Sequence, residues 1–85
     1  MRIEVEKAAA KAIGAMDRPT KQRVHRAIMG LLENPPRGDI KALRGYQDRR
    51  MRLRVGKYRI TYRYSEDGSV IYILKFDSRG DIYKD

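Results

Sequence analysis

The stretch Arg-Met-Arg-Leu-Arg-Val-Gly-Lys-Tyr-Arg-Ile-Thr-Tyr-Arg-Tyr, residues 50–64, decides the fold of this chain. Apolar and basic side chains alternate on both sides of Gly56-Lys57, and a period of two is typical of β-strands with one buried face. Gly56-Lys57 itself suits a two-residue turn that requires a positive φ at its first position. The stretch therefore predicts a β-hairpin of residues 50–55 and 58–64.

A two-residue turn also fixes which side chains lie opposite one another in this hairpin. The predicted pairs are Val55 with Tyr58, Arg54 with Arg59, Leu53 with Ile60, Arg52 with Thr61, and Arg50 with Arg63. Apolar residues then meet on one face and arginines on the other. Like charges directly opposite cost about 1 kcal/mol per pair at a surface dielectric. A sequence selected only for stability would carry Thr, Glu or Gln there, so the arginine face indicates a function.

The remaining sequence predicts helices before the hairpin and a strand after it. Residues 1–5 alternate as a short edge strand, and the alanine-rich residues 6–16 have helical spacing. Asp17 is an N-cap candidate ahead of Pro19, and together they begin a second helix. Its apolar stripe is formed by Val24, Ala27, Ile28, Leu31 and Leu32, and Asn34-Pro35-Pro36 ends it.

Residues 37–49 are predicted as a loop, and the nearly continuous apolar run 70–76 as a central strand. A three-residue turn with Gly68 in the left-handed conformation is expected before that strand. This turn pairs Tyr62 with Tyr72 and Ile60 with Leu74, and it places Lys75 beside Arg59. The tyrosines that follow the period of two (Tyr58, Tyr62, Tyr64 and Tyr72) are expected to pack in the core or across strands.

Composition excludes several classes of site. The 85 residues contain no cysteine and one histidine, so disulfides, thiolate zinc sites and a cysteine nucleophile are excluded. His25 is expected on a helix surface. No metal or other cofactor is expected. The chain has neither an apolar stretch long enough for a membrane span nor an apolar signal-peptide core, and a cytoplasmic location is expected.

The charge distribution indicates a polyanionic partner. Residues 37–63 contain ten basic and two acidic residues, a net charge of +8 within a chain whose total is +9. Arginine outnumbers lysine there by eight to two, which favours planar phosphate recognition. Nucleic acid or an acidic protein is the predicted partner, and the alternative is a solvated face that keeps the protein soluble.

These residues together resemble the RelE/ParE toxin superfamily, and its RelE branch above all. The resemblance covers the chain in order and spacing: a short strand, two helices, a Pro-rich break, Leu43-Arg44-Gly45, residues 50–64, and a final Ser-Arg-Gly-Asp-Ile-Tyr. It implies one α+β domain over residues 1–85. Two N-terminal helices would pack on a small, mostly antiparallel twisted sheet, made of a short N-terminal strand and three C-terminal strands.

The resemblance also implies the toxin of a type II toxin–antitoxin pair. RelE-type toxins enter the ribosomal A site and cleave mRNA without a metal, through attack by the RNA's own 2′-hydroxyl group. The implied partners are a RelB-like antitoxin with an acidic amphipathic segment, the ribosome and mRNA, with no membrane. ParE-type toxins act on DNA gyrase instead.

Site residues carry over by their positions in the shared pattern. Arg52, Arg59, Arg79 and Tyr83 are the implied catalytic residues: Arg59 clamps the scissile phosphate, Arg79 neutralises or protonates the leaving group, and Tyr83 stacks on a base. A further set is expected to bind nucleic acid, with Arg50 and Arg54 on the hairpin, Lys41, Arg44 and Arg49 in or beside the loop, and Lys75 on the following strand.

Two departures leave other readings open. The best-studied RelE-like pattern has lysines at positions 50 and 52, and arginine does not lose its proton, so Arg52 is a poor general base. Either Tyr83 helps to accept the proton or catalysis rests on electrostatic orientation. Gly80 stands where many relatives carry a basic residue. The alternatives are a ParE-like gyrase inhibitor, a catalytically weak relative that acts by binding, or an RNA-binding domain without chemistry, and Tyr83 would then simply pack onto the sheet.

Overall fold

A computed structural model describes residues 1–77 of the chain, and these residues form two helices on one five-stranded sheet. The elements in order are β1 (Arg2–Val5), α1 (Lys7–Gly14), α2 (Arg18–Gly30), β2 (Asp39–Ala42), β3 (Met51–Val55), β4 (Tyr58–Tyr64) and β5 (Val70–Asp77). The strand order is β1-β5-β4-β3-β2. Only the β1–β5 pair is parallel, and the predicted α+β class is confirmed.

Strand β2 lies inside the segment predicted as a loop. Its residues pair antiparallel with β3, from Asp39 opposite Arg54 to Ala42 opposite Met51. Four residues with one half-buried apolar side chain, Ile40, are too few to show a period in the sequence. The strand forms because β3 offers a row of unpaired backbone groups, a condition set by residues that follow it in the chain.

The two helices follow local signals closely. Helix α1 is shorter than the predicted 6–16 and ends at Gly14. Asp17 caps α2, since its side chain accepts a hydrogen bond from the Thr20 amide at 3.4 Å, with a proline in the first turn as predicted. Among the residues of the predicted α2 stripe, Val24, Ile28 and Leu31 are buried against the sheet. Neither helix of residues 1–77 is long and apolar enough to cross a membrane.

The β3–β4 hairpin has the predicted register from Val55 opposite Tyr58 to Arg52 opposite Thr61. Gly56 occupies the first turn position with a φ of +61°, where a side chain would be strained. The apolar side chains of both strands face the helices and form the core with them. Tyr62 belongs to this core, and burial raises the pKa of its hydroxyl group to about 12.

The predicted register between β4 and β5 is wrong. The turn is one residue longer than predicted: Ser65 pairs with Val70, and its amide donates to the Val70 carbonyl at 2.8 Å. Gly68 adopts the expected positive φ, +76°. The longer loop is stabilised by Asp67, which accepts hydrogen bonds from the Ser65 hydroxyl group and from both the amide and the hydroxyl group of Ser69.

A second irregularity, between Thr61 and Tyr62, moves the register by one more residue. The longer turn alone pairs Tyr62 with Ile73 in place of the predicted Tyr72, and the two shifts together pair Ile60 with Phe76 in place of Leu74. The shifted register also changes the cross-strand pairs on the opposite face of the sheet. Lys75 lies across from Thr61, and the partner of Arg59 is an acid, Asp77.

Candidate nucleic-acid interface

The face of the sheet that points away from the helices collects cations from four strands. Two rows of cross-strand neighbours run over it: Asp39, Arg54, Arg59 and Asp77 in one, and Lys41, Arg52, Thr61 and Lys75 in the other. Arg63 lies on the same face two residues beyond Thr61 on β4. We call Lys41, Arg52, Arg54, Arg59, Arg63 and Lys75 the basic face.

Arg52 is the most enclosed cation of the basic face. Its side chain is only 11% exposed, and its one ion pair among residues 1–77 is with Asp39, at 3.6 Å between Nη2 and Oδ1. Within the same residues, the buried Nη1 has no hydrogen-bond partner. An unmet buried donor costs about 1–3 kcal/mol, and more when it is charged. An anion that reached Arg52 would remove that cost.

Arg59 lies diagonally across from Arg52 on the neighbouring strand. Diagonal neighbours on a sheet are about 7–8 Å apart at the backbone, so two arginine side chains there can reach one phosphate group. Arg59 is partly exposed, and its Nη2 lies 3.9 Å from the Asp77 carboxylate. This pair exists because of the β4–β5 irregularity, and it places a carboxylate beside the cation predicted to clamp phosphate.

A second group of cations lies at the open end of the β3–β4 hairpin, away from the Gly56-Lys57 turn. Arg50 and Arg63, predicted to face each other, both approach Asp48, at 3.0 Å and 3.9 Å from their Nε atoms to its Oδ2. The Arg50 guanidinium stacks over the Tyr46 ring at 4.5 Å, and that of Arg63 over the Tyr72 ring at 4.6 Å.

Sequence reasoning did not single out Asp48. The one available signal is its position as one of only two acids within the cationic run 37–63.

The predicted site residues fall into three groups in the structure. Most of them lie on the basic face or directly before it in the chain: Lys41, Arg50, Arg52, Arg54, Arg59 and Lys75. Arg44 and Arg49 are exposed in the loop before β3 and stand apart from the two rows. The predictions for Arg79 and Tyr83 lie outside the described residues.

The described part of this site offers binding and charge neutralisation. The guanidinium group has five hydrogen-bond donors and no acceptor, so the arginines of this site bind anions and do not act as general bases. Planar guanidinium groups match the geometry of phosphate oxygens. In the region that the structure describes, no three histidine, aspartate or glutamate side chains form a group able to hold a metal ion.

Comparisons with known proteins point to one superfamily. The family model described as the ParE toxin of the type II toxin–antitoxin system parDE matches residues 3–83. No curated protein sequence matches the chain significantly. Among solved structures, the archaeal RelE–RelB complex from Pyrococcus horikoshii is similar, with 30% identity and a TM-score of 0.73 over 93% of this chain and 94% of that one.

More distant structures share the fold. The RelB–RelE antitoxin–toxin complex from Methanococcus jannaschii has 24% identity and a TM-score of 0.70, over 93% of each chain. The isolated RelE toxin of E. coli has 20% identity and a TM-score of 0.69, over 91% of this chain and 82% of that one.

Proposed function

Because the chain belongs to the RelE/ParE superfamily of toxins of type II toxin–antitoxin systems, we propose that it is a RelE-like endoribonuclease that cleaves mRNA in the ribosomal A site. It would act in the cytoplasm, where translating ribosomes are, and inhibit translation there. The observation that carries the proposal is the unmet guanidinium donor of Arg52, enclosed among the cations of a single sheet face.

The proposed reaction is an internal transesterification of RNA. The 2′-oxygen of the substrate attacks the adjacent phosphorus, the bond to the 5′-oxygen breaks, and the products are a 2′,3′-cyclic phosphate and a 5′-hydroxyl group. The 2′-proton must pass to an acceptor, and the leaving oxygen must gain a proton. The phosphate passes through a state with additional negative charge, which fixed cations stabilise.

The described residues supply the charge stabilisation in this scheme. Arg52 and Arg59 hold the non-bridging phosphate oxygens from adjacent strands, and the scissile phosphate becomes the missing partner of Arg52 Nη1. Arg54, Lys41 and Lys75 surround them and bind neighbouring phosphates. By the family resemblance, Arg79 is assigned to the leaving oxygen and Tyr83 to stacking and proton transfer.

The decisive experiment is expression in a translating extract, with the ends of the mRNA mapped by primer extension. Wild-type protein is expected to produce cuts within A-site codons. Arg52→Gln and Arg59→Gln are each expected to lower the cleavage rate by about 10²–10³-fold, the usual cost of one donor to developing charge.

Arg18→Gln is the matched control for the loss of one cation, because Arg18 lies on the exposed surface of α2, away from the basic face. It should cleave as wild type does. Folded Arg52 and Arg59 variants that cut at the wild-type rate would contradict this assignment of the site.

The second candidate function is inhibition of DNA gyrase. The observation in its favour is that the matching family model is that of ParE toxins. A supercoiling assay with purified gyrase separates the two candidates. A RelE-like enzyme leaves supercoiling unchanged, whereas a gyrase inhibitor blocks it and leaves mRNA in the translating extract intact.

A further inference from the structure

A cavity of about 870 Å³ opens at the end of the β3–β4 hairpin, next to Arg63 of the basic face. Its apolar walls are Tyr64 and Met51, which are partly buried on the side of the sheet that faces the helices, with the Tyr64 ring edge-on to that of Tyr62. Polar residues line the remainder: Gln47, Asp48, Arg49, Arg63, Ser65 and Glu66. Such a lining combines an aromatic ring, two cations, two carboxylates and groups that both donate and accept hydrogen bonds.

Asp48 lines this cavity and fixes the position of Arg63 beside it. Both oxygens of its carboxylate accept a hydrogen bond from the Arg50 Nε, at 3.0 Å and 3.1 Å. One of these oxygens also lies 3.9 Å from the Arg63 Nε. Arg63 is also held over the Tyr72 ring and donates to the Tyr64 carbonyl at 3.4 Å. Without Asp48, two arginines at the end of one hairpin would repel each other. The acid therefore holds the loop before β3 against β4 and keeps Arg63 at the cavity.

Arg49 carries backbone strain that its own side chain does not relieve. Its φ of +58° is the only positive value for a residue other than glycine among residues 1–77. Glycine would adopt this conformation without the steric cost that a side chain brings. An exposed arginine contributes little to stability, so an arginine at this position indicates that its side chain has a use.

We propose that this cavity binds one nucleotide of single-stranded RNA, the neighbour of the nucleotide whose phosphate lies on the basic face. The base stacks on Tyr64 and contacts Met51, while Arg49 and Arg63 bind its phosphate. Gln47 and Glu66 lie where they can read the edge of the base. The inference rests on the proposed function for its ligand class and adds to it a subsite for base selection.

The spacing of the two sites supports the assignment. Arg63 is two residues along β4 from Thr61, which lies opposite Arg52. At about 3.3 Å per strand residue, Arg63 lies about 7 Å along β4 from the position opposite Arg52, so an RNA strand that leaves the basic face at Arg63 turns round the end of the sheet to reach Tyr64 on the side that faces the helices. Stacking on an aromatic ring tolerates every base, whereas hydrogen bonds to the edge distinguish among them.

Binding of short single-stranded RNA to the purified full chain, followed by fluorescence anisotropy over a series of salt concentrations, tests this subsite without the ribosome. Arg49→Gly is expected to keep or raise the melting temperature, since glycine relieves the strain. The same variant should bind about fivefold more weakly and lower the log–log salt slope by about 0.7, the value for one phosphate contact on a single strand.

The stacking half of the proposal has its own variant. Tyr64→Leu keeps an apolar wall and should weaken RNA binding about tenfold, as expected for one lost stack. An abasic oligomer of equal length should bind this variant and wild type equally, because its phosphate contacts remain. Arg18→Gln is the control and should match wild type in both assays.

The outcomes separate this inference from the proposed function. Equal RNA affinity of Arg49→Gly and wild type, or no measurable binding by wild type, overturns the subsite whatever the extract shows. If wild type cuts mRNA in the extract while Gln47→Ala and Glu66→Gln leave the distribution of cut sites unchanged, base reading is wrong and the nuclease assignment stands. If wild type cuts nothing there, the nuclease assignment fails, and the anisotropy series alone decides the subsite.

Discussion

At the scale of one residue, Arg52 is the position where the proposed function and stability compete. It is nearly buried, its ion pair with Asp39 is long at 3.6 Å, and one guanidinium nitrogen has no partner within residues 1–77. A sequence selected for stability would fill this position with an apolar or smaller polar side chain. The proposed function explains the arginine, since an RNA phosphate would complete its hydrogen bonds.

Arg52→Met is accordingly expected to stabilise the protein while lowering the cleavage rate as Arg52→Gln does. Removal of the unmet donor should raise the free energy of unfolding by about 1 kcal/mol, measured by urea denaturation. Arg54→Met is the comparison, since Arg54 is exposed on the same strand and should change stability little. A less stable Arg52→Met would show that the ion pair with Asp39 outweighs the unmet donor.

Asp67 provides a prediction about pH. Hydrogen bonds from the Ser69 amide, the Ser69 hydroxyl group and the Ser65 hydroxyl group lower the pKa of its carboxyl group from 3.8 to about 2. Because folding lowers the pKa of Asp67, its ionised carboxylate stabilises the folded state fully at pH values above the ordinary pKa of an aspartate. This stabilisation is lost as the pH falls through the pKa that Asp67 has in the folded protein.

Melting temperatures of wild type and Asp67→Asn should therefore differ by a constant amount above about pH 4 and converge as the pH approaches 2. Circular dichroism over this pH range measures the difference. Glu66→Gln removes a charge from the same turn and serves as the control. A difference that stays constant down to pH 2 would show that the carboxylate does not stabilise the turn.

At the scale of elements, short local signals set where the helices begin. Asp17 caps α2 through its side chain, and the hydrogen bond from Thr20 lowers the pKa of the Asp17 carboxyl group. Glu6 holds the same position ahead of α1 but makes no capping hydrogen bond. The two caps offer a matched comparison within one chain.

Asp17→Ala is expected to lower the free energy of unfolding, by an amount at the low end of the range for N-caps because the hydrogen bond is long. Glu6→Ala should lower it less. Chemical denaturation of both variants beside wild type gives the two values. Equal losses would mean that the Asp17 side chain does not act as a cap.

The whole molecule carries a net charge of +9, much of it on one sheet face, and this charge acts against the folded state. A partner that neutralises the basic face should therefore stabilise the protein. The relative with 30% identity is solved as a complex of RelE with RelB. We propose an acidic, amphipathic antitoxin segment as the corresponding partner of this chain.

Co-expression with the product of the adjacent small reading frame should yield a complex with a higher melting temperature than the toxin alone. At a partner concentration about 100 times the dissociation constant, binding should raise the free energy of unfolding by about 2.7 kcal/mol. Differential scanning calorimetry at two partner concentrations measures it. A melting temperature that does not rise with partner concentration would argue against this pairing.

Local chemistry in the sequence determined much of the fold. Alternation and the Gly56 turn gave the β3–β4 register, because a two-residue turn leaves one way to pair the strands with their apolar sides together. Asp17 and Pro19 gave the start of α2. The same register placed Arg52, Arg54 and Arg59 on one face, so the centre of the candidate site was predictable as well.

Only the tertiary structure decided the features that depend on partners distant in the chain. Strand β2 exists because β3 has a free edge, and the β4–β5 irregularity gives Arg59 an acidic neighbour and moves Lys75 beside Thr61. The positions of Asp48 between two arginines and of the cavity at the end of the hairpin arise in the same way. A repeating pattern along the chain specifies which face a side chain occupies, whereas register irregularities and loop contacts are set by packing energies of the assembled sheet.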